Sequence, residues 1–164
     1  MGIAANLSIR QMVLEDIPKV AKVHNEAFPR QTFSRQWISC NFQAFPRIRY
    51  FVAEIDHDIV GYVQWTEKSG FRAEVVLELE QIAVISAMQN KKIGTSLILQ
   101  SLPLVKSELQ QRGAKIRSIL VTTRSDNHAQ KLYSNILGAK VVATICNLFS
   151  ADEVLMLARN TDTD

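Results

Sequence analysis

A β-type run, Val75–Val84, passes through a polar loop, Ser86–Lys92, into a long helical segment, Thr95–Arg112, and then a second β-type run, Ile116–Thr123. A strand–helix–strand unit of this length closes as a right-handed crossover between parallel strands. The chain must therefore build a sheet with a parallel pair and lay a helix on one face of it. Leu97, Ile98, Leu102, Val105 and Leu109 recur on one side of the helix, which is the spacing of a core-facing stripe. Gly113 is its stop. Pro103 falls inside and is expected to kink it.

The flanking elements are shorter. Leu7–Arg10 reads as a strand. Asp16 as N-cap and Pro18 in the first turn open a helix with Ile17, Val20, Ala21, Val23, Ala27 and Phe28 at helical spacing. A second helix is expected around Ser34–Phe42. The aromatics Phe33, Trp37, Phe42 and Phe45 read as core, with a pocket lining as the alternative. Tyr50–Ile55 and Ile59–Thr66 flank Asp56-His57-Asp58 and read as a hairpin. Glu67–Arg72 is a polar loop. Downstream, Ser125 or Asp126 caps a helix to about Leu137, stopped by Gly138. Lys140–Cys146 and Val154–Ala158 are the last strands. The class is α/β, a mixed sheet covered by helices.

The 164 residues suit one domain, 1–164, with its core over about 7–158 and a disordered tail at 159–164. The formal charge of +3 is spread along the chain, and only Lys91-Lys92 is dense. A nucleic-acid binder concentrates its charge on one face among aromatics, so the expectation is no nucleic-acid partner. No apolar run is long enough for a membrane span, and no secretory signal opens the chain. The expected compartment is the cytoplasm. Cys40 and Cys146 form no metal-binding or redox pattern and read as buried thiols; no metal is expected. His24, His57 and His128 are isolated and read as surface residues.

The chemistry-bearing unit is Glu78 to Leu97. A helix start presents unpaired N–H groups and positive potential. A loop feeding into it can wrap a phosphate with backbone amides. Lys91 and Lys92 add charge there, and Gly94 permits close approach.

Gln89-Asn90-Lys91-Lys92-Ile93-Gly94, between a strand and a helix, resembles the acetyl-CoA signature of the GNAT superfamily of N-acetyltransferases. That signature is Arg or Gln, two residues, Gly, one residue, then Gly or Ala. Gln89 and Gly94 match its ends; Lys92 replaces the middle glycine. The resemblance extends from Ile9 to about Leu157. It implies a mostly antiparallel mixed sheet of six or seven strands, about four helices, and a splay between the fourth and fifth strands. It also implies that Ile82, Ala83 and Val84 pair with the pantetheine arm of acetyl-CoA. The amides of Gln89, Asn90, Lys91, Lys92, Ile93, Gly94 and Thr95 would hold the pyrophosphate.

Acetyl transfer to an amine requires the amine to lose a proton. Glu78 and Glu80 share one face of their strand, and the resemblance makes either the general base, Glu78 ahead. The family's second signature is Asn, two residues, Ala, three residues, Tyr, three residues, Gly. Here Asp126-Asn127-His-Ala129 is followed by Tyr133 and Gly138. With Asp126 at the Asn place, Tyr133 is the general acid. With Asn127 there as a CoA-side residue, Ser134 takes the Tyr place. Ala129, Leu132 and Tyr133 keep the family spacing, which favours Tyr133. The implied activity is transfer of acetyl from acetyl-CoA to a primary amine on a small molecule or peptide, by direct attack in a ternary complex. A homodimer accords with the family. The alternative is a non-catalytic acyl-CoA-binding module.

Overall fold

The computed structural model describes residues 6–159. Its elements are β1 (Ser8–Gln11), α1 (Ile17–Ala27), α2 (Ser34–Gln43), β2 (Ile48–Ile55), β3 (Asp58–Glu67), β4 (Glu74–Val84), α3 (Ile93–Gln111), β5 (Lys115–Arg124), α4 (Gln130–Leu137), β6 (Lys140–Ile145) and β7 (Glu153–Arg159). The strand order is β1-β2-β3-β4-β5-β7-β6. The fold is the expected α/β class with a seven-stranded mixed sheet and four helices. β4 and β5 pair in parallel, as the crossover requires; β1–β2, β5–β7 and β6–β7 are antiparallel. The parallel ladder ends at Glu78↔Leu120 although β4 runs on to Val84, which is the expected splay. Arg159 closes β7, and the rest of the tail assigned to disorder, 160–164, lies outside the described residues.

Contacts group the chain into two compact units. One holds the segment ending at Trp65 with Gln81–Leu104. The other holds Thr66–Glu80 with the chain from Val105 onward.

In the first unit, Val20, Val23, Ile38, Val52 and Tyr62 form a core of fully or nearly fully buried side chains. The β2–β3 hairpin turns at Asp56-His57, both at positive φ (49° and 68°), as the tight turn that matches strand twist demands. Trp65 Nε1 donates to Ser101 Oγ at 2.8 Å with both side chains buried, tying β3 to α3. In the second unit, Leu77 and Leu79 of β4 and Ile119 and Val121 of β5 are buried.

Several sequence expectations change. Asp16 makes no side-chain cap for α1. Its carboxylate accepts Arg10 Nη1 at 2.6 Å and the Val13 amide at 2.9 Å, so it closes the turn before the helix. Burial raises its pKa, but the Arg10 and Val13 hydrogen bonds outweigh that and hold the carboxyl below its usual value. α3 begins at Ile93, two residues earlier than expected, and continues through Pro103. Ile93 is buried and anchors the first turn. Ser125 and Asp126 do not cap α4, because residues 125–129 form turns and Arg124 holds the Asp126 carboxylate through two hydrogen bonds. Phe33, Trp37 and Phe45 are exposed and only Phe42 packs on the core. Phe42 and Phe45 instead line an apolar cleft of about 320 Å3 with Met12, Ile48 and Tyr50. Cys40 and Cys146 are exposed, not buried. His24 is fully buried, not on the surface, because Ser34 Oγ and Gln31 Oε1 satisfy both ring nitrogens at 2.8 and 3.0 Å.

Candidate active site

The first unit supplies the loop that leads into α3. Asn90 and Lys92 both adopt left-handed backbone, φ 62° and 61°. That conformation is disfavoured for a residue with a Cβ. A glycine at position 92 would adopt it without that penalty. The first intrahelical bond runs from the Ser96 amide to the Lys92 carbonyl at 2.9 Å. The amides of Ile93, Gly94 and Thr95 therefore have no acceptor in their own helix, as at any helix start. Gly94 and Thr95 lie inside this turn, while Lys92 is exposed and Lys91 half-buried. The observed loop suits an anionic group: free amides, positive helix potential and two lysines.

The end of β4 carries Ile82, Ala83 and Val84. Ala83 is buried; Ile82 and Val84 are half-buried. A Cβ placed on Gly61 of β3 would lie 2.7 Å from the Ala83 carbonyl oxygen and 3.2 Å from Val84 Cγ2. Gly61 therefore lets β3 lie flush against this stretch. The Gln89 side chain donates Nε2 to the Val84 carbonyl at 3.1 Å, joining loop to strand. The Ser86 amide donates to Glu26 Oε1 at 2.8 Å.

The titratable candidates Glu78, Glu80 and Tyr133 lie in the second unit. Glu78 and Glu80 stand on one face of β4, as their spacing requires. Glu78 is buried, and Lys68 Nζ lies 2.7 Å from its Oε2. Thr66 Oγ1 donates to Glu80 Oε2 at 2.7 Å. Sequence reasoning missed Lys68, having placed it in a polar loop. No sequence signal announced it: the Lys68 amide bonds to the Val76 carbonyl at 2.9 Å, a contact across the hairpin that sets Lys68 beside Glu78.

Asn127 rather than Asp126 does the structural work before α4. Its Nδ2 donates to Thr123 Oγ1 at 2.8 Å, and its Oδ1 accepts the Ala129 amide at 2.9 Å. Tyr133 lies in α4 with its ring buried, and burial alone pushes its hydroxyl up to about 12. A phenol so held stays protonated at neutral pH and can donate a proton.

A mixed sheet with one parallel crossover pair, covered by helices, defines an α/β protein whose α3 start suits an anionic group. The chain belongs to the GNAT acetyltransferase family, whose sequence profile matches residues 15–139. Curated protein sequences yield no match. Solved structures share the fold at low identity. The ribosomal-protein-S18-alanine N-acetyltransferase of Escherichia coli aligns with a TM-score of 0.74 at 15% identity, covering 93% of each chain. Arabidopsis thaliana NAA60, in complex with a bisubstrate analogue, gives 0.73 at 13%, covering 93% of this chain and 97% of that one. The PaiA N-acetyltransferase of Thermoplasma acidophilum, in complex with coenzyme A, gives 0.67 at 17%, covering 94% and 99%.

Proposed function

We propose that the protein is an N-acetyltransferase moving acetyl from acetyl-CoA to a primary amine in a ternary complex. The observation that carries this reading is the start of α3, where outward amides follow two left-handed residues in a chain of this family. The Gln89 amide is taken by the Ser86 carbonyl at 3.3 Å, so the amides of residues 90–95 and Lys91 hold the pyrophosphate, and Ile82–Val84 guide the pantetheine arm. Asn127, through its bonds to Thr123 and Ala129, keeps the α4 approach in place. When bound, acetyl-CoA supplies the thioester acyl group.

Glu78 is the proposed base. It receives a proton from the acceptor amine, so the nitrogen becomes a nucleophile; Glu80 is the second carboxylate on that face. The neutral nitrogen bonds to the acetyl carbon as the carbon–sulfur bond breaks, Tyr133 gives a proton to the departing thiolate, and the second proton shed by the new amide nitrogen restores Tyr133. A base of this kind contributes about a hundredfold or more. Glu78→Gln is therefore expected to lower kcat by at least about a hundredfold, with CoA affinity unchanged by calorimetry. The test is CoA thiol release from acetyl-CoA across a panel of amines. An amine-independent rate throughout the panel would sink the transferase reading.

One observation favours the non-catalytic acyl-CoA binder: Lys68 already occupies the Glu78 carboxylate. That reading expects CoA to stabilise the fold with no turnover of any amine.

A further inference from the structure

The β3–β4 loop, with the first residues of β4 and β5, bounds a cleft of about 780 Å3 lined in part by Lys68, Ser69, Arg72, Glu74, Val76 and Arg117. Three cations and one carboxylate stand on this lining. Arg117 Nη1 is matched to Glu74 Oε2 at 3.1 Å. Arg72 donates Nε to the Ser69 carbonyl at 3.0 Å and meets no carboxylate among the described residues. Lys68 belongs both to this lining and to the proposed base: its Nζ is 2.7 Å from Glu78 Oε2, and its side chain is 40% exposed. The cleft thus has surplus positive charge, and one of its cations stands directly on Glu78. A concave surface of one sign concentrates ligands of the other. An arginine fork suits carboxylate or phosphate oxygens.

Resting on the transferase reading, we propose that the acceptor is a short zwitterion whose anionic group is held by Arg72 and Lys68 while its amine takes the place of Lys68 at Glu78. The exchange balances charge. The Lys68–Glu78 pair becomes two pairs, anion with Lys68 and ammonium with Glu78. One proton then moves from the acceptor nitrogen to the Glu78 carboxylate, leaving a neutral amine. The Lys68 backbone stays fixed beside Glu78 by its amide bond to the Val76 carbonyl at 2.9 Å, so the anion that Lys68 holds and the amine at Glu78 must belong to one short molecule. A plain alkylamine would have to displace Lys68 with nothing to compensate it. Lys68 is therefore a positioning residue that matches the base to this acceptor class.

The test compares γ-aminobutyrate, O-phosphoethanolamine and butylamine, by calorimetric titration of CoA-saturated protein and by kcat/KM for thiol release. The two anionic amines are expected to bind and react at least about tenfold better than butylamine, the range of a charge-assisted contact. Arg72 is exposed on a loop, so Arg72→Ala is expected to fold as the parent does. It should collapse the selectivity ratio towards one, acting on KM more than on kcat. Equal treatment of all three amines, or no anion-dependent binding, overturns this inference; turnover of all three would leave the transferase reading standing. Selective binding lost in Arg72→Ala, with no turnover of any amine, would sustain the anion subsite and sink the transferase reading. If phosphate is preferred over carboxylate in both assays, the acceptor's anionic group is a phosphate.

Discussion

The approaches to α3 and α4 look alike in sequence: each is a polar segment holding an asparagine before a helix. They resolve their polar groups in opposite ways. Before α4, Asn127 bonds to Thr123 and to the Ala129 amide, and the Gln130 side chain donates to the carbonyls of Arg124 and Ser125 at 3.1 and 2.9 Å. That approach is closed on itself. Before α3, Asn90 and Lys92 bend the backbone into the left-handed region, and the helix has its first internal bond only at Ser96. That approach leaves its amides directed outward. A helix start binds an anion only when its own side chains have not already satisfied it. The proposed function accordingly gives ligand binding to the α3 approach and proton chemistry to Tyr133 in α4.

The sharpest way to test that division is Tyr133→Phe. Loss of the proposed acid should lower kcat by about a hundredfold, while CoA affinity, which the proposal gives to the α3 approach, stays at the parent value. The pH profile adds a second readout. Because burial pushes the Tyr133 hydroxyl up to about 12, the acid stays protonated through pH 10, where an ordinary tyrosine ionises. Any alkaline fall in kcat due to this group should come near 12 in the parent and be missing from the variant. A kcat unchanged by the substitution would remove Tyr133 from the mechanism.

Next in size is Gly61→Ala, which probes the binding side alone. The added Cβ would meet the Ala83 carbonyl at 2.7 Å. That atom is backbone, so β4 must shift rather than a side chain rotate. Overpacking of this kind costs about 1–3 kcal/mol. Urea unfolding should show that loss, and CoA affinity should fall with it because Ile82–Val84 move. An intact CoA affinity would indicate that this stretch is not the pantetheine track.

Legibility divides along the same line. The crossover from Val75 to Thr123 was readable because strand length, helical stripe and stop glycine agree over many residues. The α3 loop was readable because the signature is local. Its unusual residue, Lys92, became intelligible only with a backbone angle, which no spacing reveals. The α4 approach misled because capping depends on where Asp126 points, and Arg124 captures it. The same limit hid Asp16, claimed by Arg10, and His24, whose isolation in sequence conceals two partners, Gln31 in the following loop and Ser34 at the start of α2. Lys68 was invisible for the reason that makes it informative: it meets Glu78 across a hairpin, a long-range contact that composition cannot announce.

Asn127→Ala tests the claim that the α4 approach is self-contained. Losing the bond to the Ala129 amide should cost about 1 kcal/mol, as for other lost turn and cap side chains, measured by thermal or urea unfolding. CoA affinity should change little. A large loss of CoA affinity at unchanged stability would mean that Asn127 faces the ligand and that the two approaches are not separate in role.

The smallest effect is expected from Lys92→Gly, and its sign is informative. Left-handed backbone costs a residue with a Cβ about 1–2 kcal/mol, and glycine removes that strain. Glycine also gives the unfolded chain more freedom, which costs about 0.4–1 kcal/mol. The strain term is the larger, so stability should rise by about 0.5 kcal/mol. Removing the side-chain charge should weaken CoA binding at low salt and leave it nearly unchanged at high salt, where exposed charges are screened. A destabilised variant would mean that the Lys92 side chain makes a compensating contact worth more than its strain. A salt-independent loss of affinity would mean that Lys92 touches the phosphate directly instead of offering only its backbone and its field.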